Sequence, residues 1–307
     1  MKTITRDQLA RAEQSQWLSA RTLERLRFEQ QFRGGPREPV LQALAAFQNI
    51  DGGFGHAIEP DFRGPVSQPL GSLFALGVLD ELEALDAPIV PKLLRHLASI
   101  TAADGGVPNV LANVSMYPRA PWWHAGPEPL PGSLLPTASI AGLLYRWRVD
   151  HAWLGPATEF CWRALERLRE RAATASERIA RIGVAYEARA AVRFLDDVPD
   201  RSRAERQAEL LGQALDQAGL LLREPDPKAE ATSPLDFAPE PRSVARRWID
   251  DARLERHLDA LVDSQNEDGG FDATWPIWTP VTGLEWRGIL TVELLKTLRA
   301  YGRFDLA

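Results

Sequence analysis

The chain has 307 residues, a formal net charge of −6, 45% hydrophobic and 25% charged residues, and one cysteine. That length makes one large domain or two ordinary ones, and the apolar content excludes disordered, collagenous and disulfide-stapled classes. Cys161 alone can form neither an internal disulfide nor a Cys-rich zinc site, which suits a reducing compartment such as the cytoplasm, and the acidic balance excludes nucleic acid as a main partner.

Taken in chain order, apolar periodicity predicts helices almost throughout. The first spans residues 7–32 and carries charge along its length, unlike a signal peptide. Helices over 40–47, 72–85, 90–100 and 133–149 follow, then 158–171, 177–194 and 203–222. The last two cover 243–266, with a break near Asp250, and 285–301. No segment is convincingly β-rich, and no apolar run reaches the roughly 18 residues that a membrane span needs. Seventeen of the 23 prolines fall in residues 49–69, 104–136, 223–242 and 268–282. Proline avoids helix interiors, so these segments predict long, stiff loops.

The chain also repeats itself. Gln48-Asn49-Ile50-Asp51-Gly52-Gly53-Phe54 returns as Gln265-Asn266-Glu267-Asp268-Gly269-Gly270-Phe271, with a weaker copy at Asp104-Gly105-Gly106-Val107. The aspartates stand 53 and 164 residues apart, so the period is near 55 and degenerate copies are expected near 158 and 213. Glu59-Pro60-Asp61 and Glu224-Pro225-Asp226 lie 165 apart, again three periods. Each period holds two helices, and residues 7–32 take the phase of a second helix. Six helices of the second type and about five of the first predict an all-α, closed (α/α)6 toroid, a single domain over residues 1–307, rather than an open solenoid.

These Gln-x-x-Asp-Gly-Gly-Phe units resemble the repeats of the terpenoid cyclase and protein prenyltransferase superfamily, whose members are α/α toroids. In length and wording the chain looks most like the small bacterial proteins described as prenyltransferase or squalene-cyclase repeat proteins. The resemblance implies lyase, isomerase or transferase chemistry on an isoprenoid. The family's chemical motifs are missing, however. Trp248-Ile249-Asp250-Asp251 lacks the first carboxylate of the Asp-x-Asp-Asp motif and falls at the far end of a helix in the repeat register. Asp196-Asp197-Val198-Pro199-Asp200 spells a magnesium motif, but Pro199 ends the helix and makes it a solvated turn. Cys161 has no aspartate two residues before it, so the zinc set is absent. No metal and no cofactor is expected, unless the substrate is a diphosphate, which would bring magnesium.

The topology itself proposes a site. Every Asp-Gly-Gly turn should join a first helix to a second, so the turns should share one rim with the N-termini of the second helices. Free N–H groups and positive dipole ends there suit an anionic ligand. The proline-rich loops carry matching chemistry. Candidate acids are Glu59, Asp61 and Glu285, and candidate ligand-binding residues are His56, Arg63, Trp122, Trp123, His124, Asp236, Trp275, Trp278, Trp286 and Arg287. Each also has a plainer role. Glu59 and Asp61 suit helix capping or pairing with Arg63, Trp122 and Trp123 suit a lid over core, and Glu285 suits the first turn of a helix. His96, His151 and His257 read as inert, and Asp250 and Asp251 as partners of Arg246 or Arg247.

Three functions fit. An enzyme on an isoprenoid or another apolar or anionic molecule would use an acid from the loops and aromatic faces that stabilise cations. A carbohydrate-active enzyme would pair carboxylates among Glu59, Asp61, Asp236, Glu240 and Glu285 across a cleft. A non-catalytic binder would need only a closed apolar pocket. The partner expected is a small molecule, an isoprenoid first.

Overall fold

The computed structural model describes residues Met1–Leu306. Its elements, in order, are β1 (Ile4–Thr5), α1 (Arg6–Ser19), α2 (Thr22–Arg33), α3 (Arg37–Ala45), α4 (Pro69–Glu81), α5 (Val90–Ser99) and α6 (Leu134–Arg146). Then come α7 (Leu154–Thr174), α8 (Arg178–Asp197), α9 (Arg201–Gln217), α10 (Pro234–Phe237), α11 (Asp251–Asp263), α12 (Pro280–Ala300) and β2 (Phe304–Asp305). Short 3-10 turns cover Ala112–Met116 and Val244–Trp248. The chain is all-α, as the periodicity predicts. Among the described residues the only named strands are β1 and β2, which pair in parallel over two residues each. No helix among these residues is long and apolar enough to cross a membrane.

The chain forms two compact units, Leu44–Leu220 and Met1–Ala43 with the chain from Leu221 onward. In the first unit, second helices pack on second helices, α4 on α6 and α6 on α8, while α7 lies against α9. Sequence decides the layer. α6 (LLPTASIAGLLYR) is apolar or small all round as far as Leu144, and ten of those residues are buried, which suits an interior helix. α7 (LGPATEFCWRALERLRERAAT) buries one stripe, including Phe160, Leu165 and Leu168, and turns its charges outward. At Gly142 α6 meets α8 so closely that a Cβ would overlap the carbonyl of Arg193. In the second unit α1 packs on α2, and both pack on α12. Two of the most buried side chains there are arginines. Arg303 donates to Glu255 at 2.6 Å and Asp259 at 2.8 Å, and Arg27 pairs with Glu293. A buried guanidinium persists only with such partners.

Four expectations need correction. Residues 7–32 are two helices, because Ala20 and Arg21 are extended and Arg25 donates to the carbonyl of Ala20 at 2.8 Å. The break turns Leu23, Glu24, Arg27 and Phe28 into the core, so α1 is a first helix and α2 the second. The last helix begins at Pro280, not 285, because Thr279 caps it with Thr282 and proline suits the first helical position. Glu285 is therefore in the second turn. The helix expected to reach 222 stops at Gln217, ahead of Gly219 at φ 62°. The repeat copies expected near 158 and 213 fall inside α7 and α9, so there the hairpins persist without their turn. The other breaks are as expected. Arg246 pairs with Asp251 as expected, whereas Asp250 caps α11 instead of pairing with Arg246 or Arg247, and Asp200 caps α9 rather than sharing a face with Asp196 and Asp197.

Candidate functional site

The three Asp-Gly-Gly turns share one construction. Gly52, Gly105 and Gly269 have φ of 89°, 91° and 90°, a region that glycine alone enters freely. Each aspartate accepts from the N–H of the second glycine, at 2.9 Å in Asp51 and 3.1 Å in Asp104 and Asp268. Each first glycine then lies against the first helix of another hairpin, over Lys92 of α5, Pro156 of α7 and Arg11 of α1. The last turn thus sits on the first helix of the chain as the earlier turns sit on their successors. The residue four positions on from each contact lies under the second glycine: His96, Phe160 and Ser15. Three positions before it, the helix start is tied to the turn. Gln48 donates to the carbonyls of Gly52 (3.0 Å) and Ile89 (2.9 Å), and Gln265 to those of Gly269 (2.9 Å) and Gln8 (3.0 Å). In the middle copy the tie is reversed, with Trp153 Nε1 donating to Thr101 Oγ1 at 2.8 Å.

From the first turn the chain enters a loop that closes on itself, with His56 N–H bonding to Gly64 O at 3.0 Å. His56 and Ala57 have φ of 56° and 60°, two consecutive left-handed residues without glycine's freedom. Such strain persists only where surroundings enforce it. The loop is zipped to the proline-rich segment before α6. Phe62 pairs antiparallel with Arg119, Arg63 N–H donates to Pro118 O at 3.0 Å, and Ala120 N–H to Asp61 O at 2.8 Å. Gln68 adds a second tie, donating to Asn113 at 2.6 Å and accepting from Leu111 N–H at 2.9 Å. This zipper delivers the two tryptophans. Trp122 Nε1 donates to Asp61 Oδ2 at 3.1 Å, and Trp123 stacks on Phe62 with centroids 5.5 Å apart. Asp61 is 4% exposed, Trp123 3% and Trp122 43%. Glu59 accepts from Asp61 N–H at 2.8 Å, so its carboxylate faces the backbone of its own loop. His56 is exposed and bonds to Asn49 at 2.9 Å, and His124 is exposed. The structure thus brings Glu59, Asp61, Trp122 and Trp123 together.

The remaining candidates lie in the other unit. Trp275 and Trp286 meet edge to face at 5.0 Å. Arg287 pairs with Asp268 of the last turn and with Asp272 at 3.5 Å. Trp278 buries an indole N–H that has no hydrogen-bond partner among the described residues. Glu285 is half-buried on α12. Asp236 belongs to the capping box of α10, accepting from Ser233 N–H at 3.0 Å.

Sequence reading missed the residues beneath the turns. His96 is 5% exposed, and burial holds its pKa below the usual histidine value although Asp51, 3.7 Å away, pulls the other way. His257 is likewise buried and lowered by burial. The cue was spacing along the first helix, visible only once the helix under each turn is known.

No known family model matches the chain, and no curated protein matches it in sequence. Solved structures do match. A protein from Actinoplanes superposes with a TM-score of 0.56 at 17% identity, over 96% of this chain and 90% of that one. The fold is also similar to that of the type II terpene cyclase MstE from Scytonema. The apo form gives a TM-score of 0.52 at 14% identity, over 97% of this chain and 89% of that one. An arginine-to-alanine variant, in complex with geranylgeranyl dihydroxybenzoate as substrate, gives 0.52 at 13% identity, over 95% and 88%. At these identities the likeness is one of fold, and one fold serves many chemistries.

Proposed function

We propose that the chain binds an isoprenoid or comparable apolar small molecule and acts on it by acid-initiated chemistry, with Asp61 as the proton donor. The observation that carries this reading is the setting of Asp61. It is a buried carboxyl that accepts from the Trp122 indole, on a loop whose neighbouring residue Phe62 stacks on Trp123. Burial keeps water from competing for the proton. A substrate alkene would take the proton from the carboxylic acid, forming a C–H bond from its π pair and leaving a carbocation on the adjacent carbon. The exposed face of Trp122 offers π density to such a cation. Loss of a proton, or capture of a nucleophile within the substrate, would then end the reaction as a lyase or an isomerase.

The fold shared with a terpene cyclase that binds a geranylgeranyl compound supports this substrate class. Glu285 remains a proposed acid, and Arg63, His56, His124, Trp275, Trp278, Trp286 and Arg287 remain proposed contributors to binding, within a chain taken as one toroidal domain. Magnesium would enter only with a diphosphate substrate. The paired-carboxylate reading has less support, since Glu59 and Asp236 accept from backbone N–H groups and Glu240 pairs with Arg242 at 2.7 Å.

The test is incubation with geranylgeraniol, geranylgeranyl dihydroxybenzoate, squalene and polyprenyl diphosphates, with products read by mass spectrometry. We expect a cyclised or isomerised product that Asp61→Asn reduces by roughly 100-fold or more, the scale of a lost general acid. Trp122→Phe should reduce it less, since it keeps the ring but not the N–H. Absence of binding and of product across the panel would sink the reading, as would full activity in Asp61→Asn.

A further inference from the structure

A second place in the molecule has the makings of a ligand site, and it lies outside the Asp61 cluster. A cavity of about 260 Å³ opens where α6 begins, against α7 and α8. Its apolar side is formed by Leu134, Phe160 and Ala164, all buried. Its polar side holds Arg167, Arg171 and Glu187. Phe160, Ala164, Arg167 and Arg171 follow one another at spacings of four, three and four, so α7 presents them as a single stripe. Two guanidinium groups therefore face one carboxylate. Arg171 is spent on Glu187, with which it pairs directly. Arg167 has no hydrogen bond or ion pair to any described residue. Among the lining residues one positive charge is left over, beside the apolar Phe160 and Ala164. The start of α6 adds to the imbalance, because Ser133 supplies no side-chain cap to the first N–H groups of that helix.

We propose that this cavity binds a small organic carboxylate, its carboxylate on Arg167 and its apolar body against Phe160 and Ala164. Guanidinium is the cation that matches a carboxylate with two parallel N–H donors. A carboxylate satisfies the unpaired charge without displacing Glu187, and an apolar body excludes water from the Phe160 side. The volume is below the ~300–1,000 Å³ typical of pockets for drug-sized ligands, so the occupant is smaller than a twenty-carbon isoprenoid. The cavity is accordingly a second site, and the assignment does not rest on the reading of Asp61.

The test uses the whole chain with benzoate as probe, read by ligand-observed NMR and by isothermal titration. Benzamide serves as the neutral isostere and inorganic phosphate as the anion without a body. We expect saturable benzoate binding, with benzamide and Arg167→Ala each weakening it by at least roughly tenfold, as expected for a lost charge-assisted contact. Arg167→Glu should abolish binding, and Asp61→Asn should leave it unchanged. Arg167 is exposed, so these variants should fold. Ala164→Phe, which fills the cavity, supplies an independent block. Absence of benzoate binding overturns the proposal, as does binding indifferent to Arg167→Glu or equal affinity for benzamide. Phosphate binding as tightly as benzoate overturns the role given to Phe160 and Ala164. Loss of benzoate binding in Asp61→Asn would merge the two sites and overturn their independence.

Discussion

The turn at Asp51 in one unit and the turn at Asp268 in the other are built alike to within a few degrees and a few tenths of an ångström. Each has a glycine near φ 90°, an aspartate holding the next glycine's N–H, and a glutamine tied to the helix that receives the turn. What lies under the second glycine differs. His96 fills the place in the first turn, whereas Ser15 and Arg287 fill it in the last. The repeated residues therefore build backbone, and the individual character of each repeat is carried by unrepeated residues from elsewhere in the chain. A motif of this kind identifies the fold and says little about the chemistry.

The sharpest way to break the likeness is to add a methyl group at the first glycine. An alanine Cβ at Gly52 or Gly269 would overlap the carbonyl of Lys92 or the backbone of Arg11, on top of the strain of positive φ. At Gly105 the nearest atom, Pro156 O, is 2.8 Å away, so the overlap is milder. We expect Gly52→Ala and Gly269→Ala to cost about 3 kcal/mol or more, and Gly105→Ala about 2 kcal/mol. Gly34 has φ 72° with nothing within 4 Å of a Cβ. Gly34→Ala should therefore report conformational strain alone, about 1 kcal/mol. Urea denaturation with a common m-value would rank the four. Equal losses at all four would show that packing on the receiving helix contributes nothing.

The glutamine ties come next. Gln48→Ala and Gln265→Ala each remove two hydrogen bonds to backbone carbonyls, for an expected loss of about 1–2 kcal/mol. In the middle copy Thr101→Val should cost about 1 kcal/mol, since it leaves the Trp153 N–H without its acceptor. A neutral Gln48→Ala would mean that the turn holds without its link to the next helix.

The fold was legible in the sequence because it is local and repeated. The turn glycines and the break near Asp250 follow from residues within a few positions of one another, and the hairpin period follows from the recurrence of one such short motif. The break at Ala20 and Arg21 was not legible, because neither residue disfavours helix and the bend is imposed by packing Phe28 and Arg27 into the core. The start of α12 carries a local signal in Thr279-Pro280, a cap followed by proline, which a reading of proline as a loop residue conceals. The neighbourhood of Asp61 was legible only as a set of residue types. Its geometry depends on residues 61–63 pairing with 118–120, a contact between two loops that no local pattern specifies. The carboxylate of Asp236 went the other way, being a capping residue where a ligand contact was expected.

The two turns also separate by pH. His96 is buried beneath Gly53, close to Asp51 and Ser67, and burial lowers its pKa from the usual value of 6.5. The folded chain then binds fewer protons at this site than the unfolded chain does. Stability from His96 is complete above about pH 6.5, and it falls as pH drops through the unfolded value toward the lowered folded one. Asp51 limits the fall, because its carboxylate favours the imidazolium. His257 contributes in the same direction, so the informative quantity is the difference between the wild type and His96→Gln. That difference should shift against the wild type by up to about 1.4 kcal/mol per pH unit below pH 6.5, and stay flat above it. The turn at Asp268 has Ser15 in the same place, which does not titrate. Ser15→Ala should therefore give a stability change independent of pH over the same range. Parallel pH profiles for wild type and His96→Gln would show that the imidazole beneath the first turn is solvated in practice, and that the two turns differ only in shape.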